Sequence, residues 1–394
     1  EGGEKPGMQD VDVVTTATRA VMSGTYAVLS FPVAEPHTFL RASRAWLEGV
    51  PAQVGPCPNE RLGLVDLMIM GTAHSRDRPR YGGGHLFRDL AAGQEVSVEV
   101  ETGDGREISA HISLDRMPQA RLFGTRHCFR NYSAFVNPGQ EEVSTIFHAT
   151  GFHPRLGGAS FSGCGHMSPL QNDPLLETVG VGTRILFNGG EGFVLGAGTR
   201  SSPARPNLAT MGDLHLMHPE YMGGFSTPAG PECVVSLALA VPVVSVPVLQ
   251  AATTLDRDIP LPVMDVNTRS QMGEADYGQA WGGADLAVKF RPRNCQQCQD
   301  CRAKEACPTA AISVRDGRPR LDRKACFNCG LCSTTCPGQV FQARLGSIRV
   351  GETEVPIVIR QSDRLRALRL ARDLKRRIVE GTFTLSEPVS RIVP

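Results

Sequence analysis

The chain has 394 residues, 41% hydrophobic and 21% charged, with 41 Lys and Arg against 40 Asp and Glu. That composition is ordinary for a globular protein and excludes a disordered or fibrous chain; no apolar run reaches the ~18 residues a membrane-spanning helix needs. Twelve cysteines behind a polar start that lacks an apolar signal core predict thiol and metal chemistry in a reducing cytoplasm, not disulfide staples.

The near-neutral net charge hides an asymmetry. From Lys289 onward there are 21 Lys and Arg against 10 Asp and Glu, which leaves −10 on the residues before it. A boundary is expected at 282–293. A basic tail can bind nucleic acid, but aromatic interleaving and any known nucleic-acid motif are missing. The expectation is a basic surface facing an acidic large domain, with no nucleic-acid partner.

In chain order, residues 1–10 read as a trimmed or disordered end. The 42 glycines and 28 prolines imply many turns and many short strands. Residues 11–16 and 24–31 predict buried strands, 39–47 has helical spacing, and 64–70 is an apolar strand. Tyr81-Gly82-Gly83-Gly84-His85 leads into a helical turn at 86–90. Residues 96–101 and 107–114 alternate across Gly103-Asp104-Gly105, a hairpin signal. A strand is expected at 141–148. Residues 180–199 interleave short strands with glycines and match no phosphate-loop or dinucleotide pattern. Residues 234–249 are apolar but broken by Pro242 and Pro247, which predicts two strands. After a strand pair at 349–360, Ser362 is expected to cap a helix over 363–380 that buries Leu365, Leu368, Ala371, Leu374 and Ile378 and ends at Gly381. This is α+β: a strand-rich mixed core over 11–282, a cysteine-rich domain over 283–345, and a strand pair and docking helix over 346–394.

The cysteine-rich stretch carries the strongest signal. Cys295, Cys298 and Cys301 form a C-x2-C-x2-C triplet, followed by Cys307-Pro308; Cys326, Cys329 and Cys332 repeat it, followed by Cys336-Pro337. Three thiolates at this spacing cap three corners of an iron–sulfur cube, and the fourth reaches across to the other cube. The expected ligands are Cys295, Cys298, Cys301 and Cys336 for one [4Fe–4S] cluster, and Cys326, Cys329, Cys332 and Cys307 for the second. Zinc needs neither the third Cys of each triplet nor the proline. Five residues separate Cys301 from Cys307 where three are usual. The stretch resembles bacterial-type two-cluster ferredoxins, which carry single electrons.

Four cysteines remain. Cys233 precedes a buried strand, and no role is assigned to Cys57. Cys128 sits in Arg126-His127-Cys128-Phe129-Arg130-Asn131-Tyr132, whose cations would favour its thiolate. Cys164, beside His166 in a Gly-rich loop, is the second candidate. Arg126, Arg130 and Arg184 are candidate anchors for a substrate carboxylate. Asp213, His215 and His218 read as structural.

Residues 11 to about 270 resemble the homocysteine-biosynthesis sulfur-incorporation domain. The resemblance rests on Tyr81–His85, the 126–137 stretch, Ser168-Pro169-Leu170-Gln171-Asn172-Asp173-Pro174, Gly180-Val181-Gly182-Thr183-Arg184, Gly212-Asp213 and Pro242. With two cluster runs and the Ser362-Asp363-Arg364-Leu365 tail behind it, the whole resembles the methanogenesis marker protein sixteen family of metalloproteins. The resemblance implies an iron–sulfur sulfurtransferase that makes a thiol from an aldehyde such as aspartate semialdehyde and an inorganic sulfur donor. It implies Cys128 as sulfur carrier with His127 beside it, and a site drawing on Arg126, Arg130, Asn131 and Arg184. Assigned members carry CBS modules and use a separate ferredoxin; this chain fuses the ferredoxin instead. The alternatives are a non-catalytic electron-transfer or assembly protein served by a redox partner, and a domain that binds an organic cofactor.

Overall fold

The computed structural model describes residues 6–393. β-Branched and alternating stretches make thirteen strands into one sheet. Its antiparallel path runs Val13–Val21, Gly230–Pro242, Arg184–Phe187, Gly190–Ala197, Leu208–Asp213, Gln119–His127, Thr25–Pro32, Leu64–Met70, Val50–Val54, Ala42–Leu47, Val96–Thr102 and Glu107–Ile112. Thr25–Pro32 alternates between buried and half-buried positions, as a strand with one face on a core does. Gly230–Pro242 is buried at every interior position, because both of its faces are covered. Val235, Leu237 and Leu239 enter the main core, while Ala238 and Ala240 meet the C-terminal helix.

A second, six-stranded mixed sheet runs Gln271–Asp276, Pro260–Asp265, Ala134–Val136, Ala159–Phe161, Thr353–Arg360 and Ser347–Val350. Thr353–Arg360 lies parallel to Ala159–Phe161. The chain therefore leaves this sheet after Asp276, builds the cysteine-rich segment, and returns to the same sheet.

Four local expectations are corrected. Residues 39–47 are not a helix: Ala42–Leu47 is a strand paired with Val50–Val54 and Val96–Thr102. The turn decides it, since Glu48 and Gly49 take φ of 49° and 71°, the left-handed pair a two-residue hairpin needs. Residues 141–148 form no strand beyond the single bridge Val143–Phe152; Phe147 instead stacks on Phe135 at 3.9 Å. The 234–249 run is one strand ending at Pro242, then a helix, Val246–Ala252, capped by Ser245. Pro247 falls in the first turn, where a missing N–H costs nothing.

The last correction concerns the C-terminal helix, Arg364–Val379, whose N-cap is Asp363 rather than Ser362. The Ser362 hydroxyl accepts from the Gly163 N–H at 2.7 Å. The buried face is Ala367, Leu370, Ala371 and Leu374 together with Arg364 and Arg366, while Leu365 and Leu368 are half-buried. The arginines turn inward because buried partners await them. Arg369, Arg372, Lys375 and Arg376 form the solvated basic face.

Candidate functional site

The two cysteine runs fold alike. In each triplet the residue before the second Cys is left-handed, Gln297 at φ 51° and Asn328 at φ 54°. That turn aims a main-chain N–H back at the first sulfur, Gln297 N to Cys295 Sγ and Asn328 N to Cys326 Sγ, both at 3.4 Å. Cys295, Cys298, Cys301 and Cys336 line one cavity of about 560 Å³. Cys326, Cys329 and Cys332 are buried with Cys307 beside them. The longer first run is absorbed by a helical turn, Arg302–Ala306, between Cys301 and Cys307.

Burial pushes the Cys326 thiol up to about 11, with Cys307 and Asp363 adding to the rise. Cys329 and Cys332 are raised too, by burial and then by the neighbouring thiols. These three thiols, whose ionisation is opposed by burial and by neighbouring cysteines, form with Cys307 a donor set satisfied by bound cations. Each triplet with its fourth Cys offers the four thiolates that a cube takes, one per iron. The residues fit an iron–sulfur group, with the N–H···S contacts supplying its outer hydrogen bonds.

A second cavity, about 760 Å³, lies between the two sheets. Thr18, Ala20–Gly24, Thr125 and Arg126 line it from the larger sheet; Ser133, Phe135, Met264, Ser162 and Gly163 line it from the smaller one. Arg126, Arg200, Arg205 and Arg269 all border it. The Arg126 guanidinium lies 5.0 Å from the Phe129 ring centroid. Burial, then the like charges of Arg200 and Arg205, hold it below its ordinary value despite the Tyr132 hydroxyl. Its Nε is buried without a partner. Cations crowded against one another, none of them ion-paired with the Glu232 carboxyl on the same wall, form a receptor for an anion.

Cys128 follows the strand Gln119–His127 and is buried, with φ 54°. A non-glycine residue in that region is strained by roughly 1 kcal/mol or more. Its expected electrostatics are corrected: burial pushes the thiol well up, and the neighbouring Cys164 adds to the rise. The flanking cations do not offset this. His127 is buried between the hydroxyls of Thr25 (2.8 Å) and Thr210 (2.9 Å), and burial holds its ring neutral, its pKa lowered to about 3. Arg130 donates from Nε to Gln171 Oε1 at 2.9 Å and borders a different cavity.

Cys164 is also buried and raised by burial, but its sulfur receives the Arg19 N–H and, at 3.7 Å, the Thr18 hydroxyl. Asn131 fixes the loop around it: its Oδ1 accepts from Gly165 N and Ser168 Oγ at 3.0 Å, and Ser168 Oγ accepts from Cys164 N. Thr18, Asn131, Gly163 and Ser168 all face the inter-sheet cavity. The fold thus gathers Arg126, Asn131, Cys128 and Cys164 at or just behind one cavity wall. Arg184 is elsewhere, paired with Glu191 at 2.6 Å and with the Thr384 carbonyl. Cys233 is a buried thiol and Cys57 is exposed. Asp213 and His215 bond each other at 2.8 Å, and His215 Nε2 meets the carbonyls of Leu114 and Met117.

Sequence reasoning missed Glu232, Arg200, Arg205 and Arg269 as cavity residues. Glu232 had a signal, a lone carboxyl at the head of an otherwise apolar strand. The arginines had none, because distant loops bring them together.

Residues 1–385 match the family described as homocysteine biosynthesis enzyme, sulfur-incorporation. An uncharacterized protein of Methanothermobacter thermautotrophicus is 50% identical over 97% of this chain and 88% of its own length. An L-aspartate semialdehyde sulfurtransferase of Methanocaldococcus jannaschii is 32% identical over 67% of this chain, which spans 53% of that relative. An uncharacterized ferredoxin of the same organism is 43% identical over 51 residues, 13% of this chain and 34% of that ferredoxin. No solved structure matches. Among the described residues no helix is long and apolar enough to cross a membrane. The chain belongs to the homocysteine biosynthesis enzyme, sulfur-incorporation family, a family of sulfur-transferring enzymes, and carries a ferredoxin-like segment.

Proposed function

We propose that the chain reductively incorporates sulfur into a small anionic aldehyde, such as aspartate semialdehyde, to give a thiol, homocysteine in that case. The observation that carries this reading is the inter-sheet cavity, bordered by Arg126, Arg200, Arg205 and Arg269, with the buried thiols Cys128 and Cys164 on segments that adjoin its lining. Arg126, with Arg200 and Arg205, holds the substrate carboxylate. Asn131 fixes the loop that presents Cys164. Cys128 carries the sulfur, and Cys164 is the second thiol of the site. Because burial disfavours the Cys128 thiolate, local opening at this strained residue precedes its taking up the sulfur as hydrosulfide held without an S–S bond, so that this step needs no oxidant.

The balanced reaction adds hydrogen sulfide, two electrons and two protons to the aldehyde, and releases the thiol and water. Two [4Fe–4S] clusters held by the two cysteine foursomes would supply those two electrons. The cysteine-rich unit over 283–345 is the electron-delivering module, refilled by a redox partner protein. Matches along nearly the whole chain to proteins of methanogens support placing it with the methanogenesis marker protein sixteen family, in a reducing cytoplasm.

Anaerobic, iron-loaded protein given sulfide, a reductant and aspartate semialdehyde should yield homocysteine by mass spectrometry. Cys128→Ser with unchanged iron content should yield none. Homocysteine from Cys128→Ser at the wild-type rate removes Cys128 as carrier; none from the wild type removes this acceptor.

A further inference from the structure

Glu232 stands at the head of the apolar strand Gly230–Pro242, on the wall of the inter-sheet cavity. It is 5% exposed, and its Oε2 has no hydrogen-bond partner among the described residues. The Ser23 hydroxyl bonds its side chain. The charged groups on the same cavity are Arg126, Arg200, Arg205 and Arg269; none is ion-paired with Glu232, and its sequence neighbour Cys233 is a buried thiol. Burying a carboxylate with one oxygen unpartnered costs free energy, which favours the protonated form and the O–H it offers. Burial raises the Glu232 pKa accordingly. No fold role accounts for an acid here, since an apolar residue would fill the position without that cost.

We propose that Glu232 is the proton donor to the carbonyl oxygen as sulfur adds to the aldehyde. This rests on the sulfur-incorporation reading above. A hydrosulfide lone pair forms the C–S bond, and the carbonyl π pair moves onto oxygen. The Glu232 O–H bond breaks, its proton joins that oxygen, and its electron pair stays on the carboxylate. The product is a thiohemiacetal; nothing is oxidised or reduced in this step, and water reprotonates Glu232 before the next turnover. The arginines hold the substrate's anionic end, and the protonated acid meets its reacting end.

The test uses iron-loaded wild type, Glu232→Gln and Glu232→Asp under anaerobic conditions. The Gln variant should lose about 10²- to 10⁴-fold in kcat, the usual worth of a positioned general acid, with the aldehyde KM within about threefold of wild type. The Asp variant should recover part of the loss. Wild-type kcat should fall as pH rises through the Glu232 titration, and that limb should vanish in the Gln variant. Infrared difference spectra across the pH range of that limb should show a protonated-carboxyl band that titrates in wild type and is absent from Glu232→Gln. The proposal is overturned if the Gln variant keeps kcat within about threefold, if only KM changes, or if the band is missing. An active wild type with an unaffected Gln variant overturns the proposal alone; a wild type that makes no thiol overturns the sulfur-incorporation reading and the proposal with it.

Discussion

Asp363 is the keystone of a buried charge network, and its removal should unfold the protein far more readily than its size implies. The carboxylate is inaccessible to solvent and accepts from Arg19 Nη1 at 2.7 Å, Arg366 Nη1 at 3.1 Å and Asn328 Nδ2 at 3.3 Å. It also caps the C-terminal helix through Arg366 N at 3.2 Å. Burial outweighs Asp363 in setting Arg19, whose pKa is lowered to about 10, so the intact pair is not a large net stabiliser. Half of it is costly. Asp363→Ala strands Arg19, whose side chain is 2% exposed, at about 3–5 kcal/mol, and the lost cap adds about 1 kcal/mol. Arg366 suffers less, because the carbonyls of Cys326, Arg323 and Lys324 also hold it. At ~2.1 cal/mol/K of unfolding entropy per residue, a loss of about 4–6 kcal/mol lowers Tm by about 5–7 °C. Thermal unfolding of iron-loaded protein under argon measures it. The Arg19→Met/Asp363→Leu double variant should be more stable than Asp363→Ala alone. A double variant less stable than the single one, or an Asp363→Ala shift below about 1 °C, refutes the reasoning.

Acid should destabilise the fold through its buried neutral histidines. His85 and His127 are lowered to about 3 and His148 to about 4, each chiefly by burial. The unfolded chain therefore binds more protons between about pH 6.5 and pH 4, and stability falls with pH there by up to about 4 kcal/mol per unit; urea midpoints across that range should flatten in His127→Gln. Gly124→Ala places a Cβ 2.0 Å from the His127 ring, so it should cost about 1–3 kcal/mol in denaturant unfolding, with a larger loss in His-containing protein than in a His127→Ala background. Cys329→Ser, at a buried position, should lose iron and lower Tm, whereas Cys298→Ser, at an exposed one, should lose iron with a smaller Tm change; equal Tm losses would contradict that ordering.

Much of this was legible because the signals were short-range. The cysteine triplets announced themselves through spacing, and the hairpin at 96–112 through alternation around a Gly-Asp-Gly turn. Ala42–Leu47 misled because Phe39, Ala42 and Leu47 mimic a helical period, while the deciding information sat in two residues beyond it. The C-terminal helix was found, but its cap and buried face were shifted: Arg364 and Arg366 face inward toward Asp256 and Asp363, partners invisible from the helix sequence. The cationic flanks of Cys128 misled in the same way. The strand ends at His127, which is held between Thr25 and Thr210; the chain then turns at Cys128, and Arg130, in the loop beyond it, serves Gln171.

The outermost strand of the larger sheet is made first and completed late. Val13–Val21 has as its sheet partner a segment whose last residue is Pro242, and its Arg19 meets Asp363, 344 positions away. At a synthesis rate of about 5–20 residues per second, the β-branched N-terminal ribbon waits roughly 10–45 s for its neighbour and longer for its counter-ion. Throughout that interval its unsatisfied amides offer a template to any other nascent chain. Heterologous yield should therefore be governed by what shelters the Val13–Val21 ribbon while its partner strand is still being synthesised, well before iron or substrate matters.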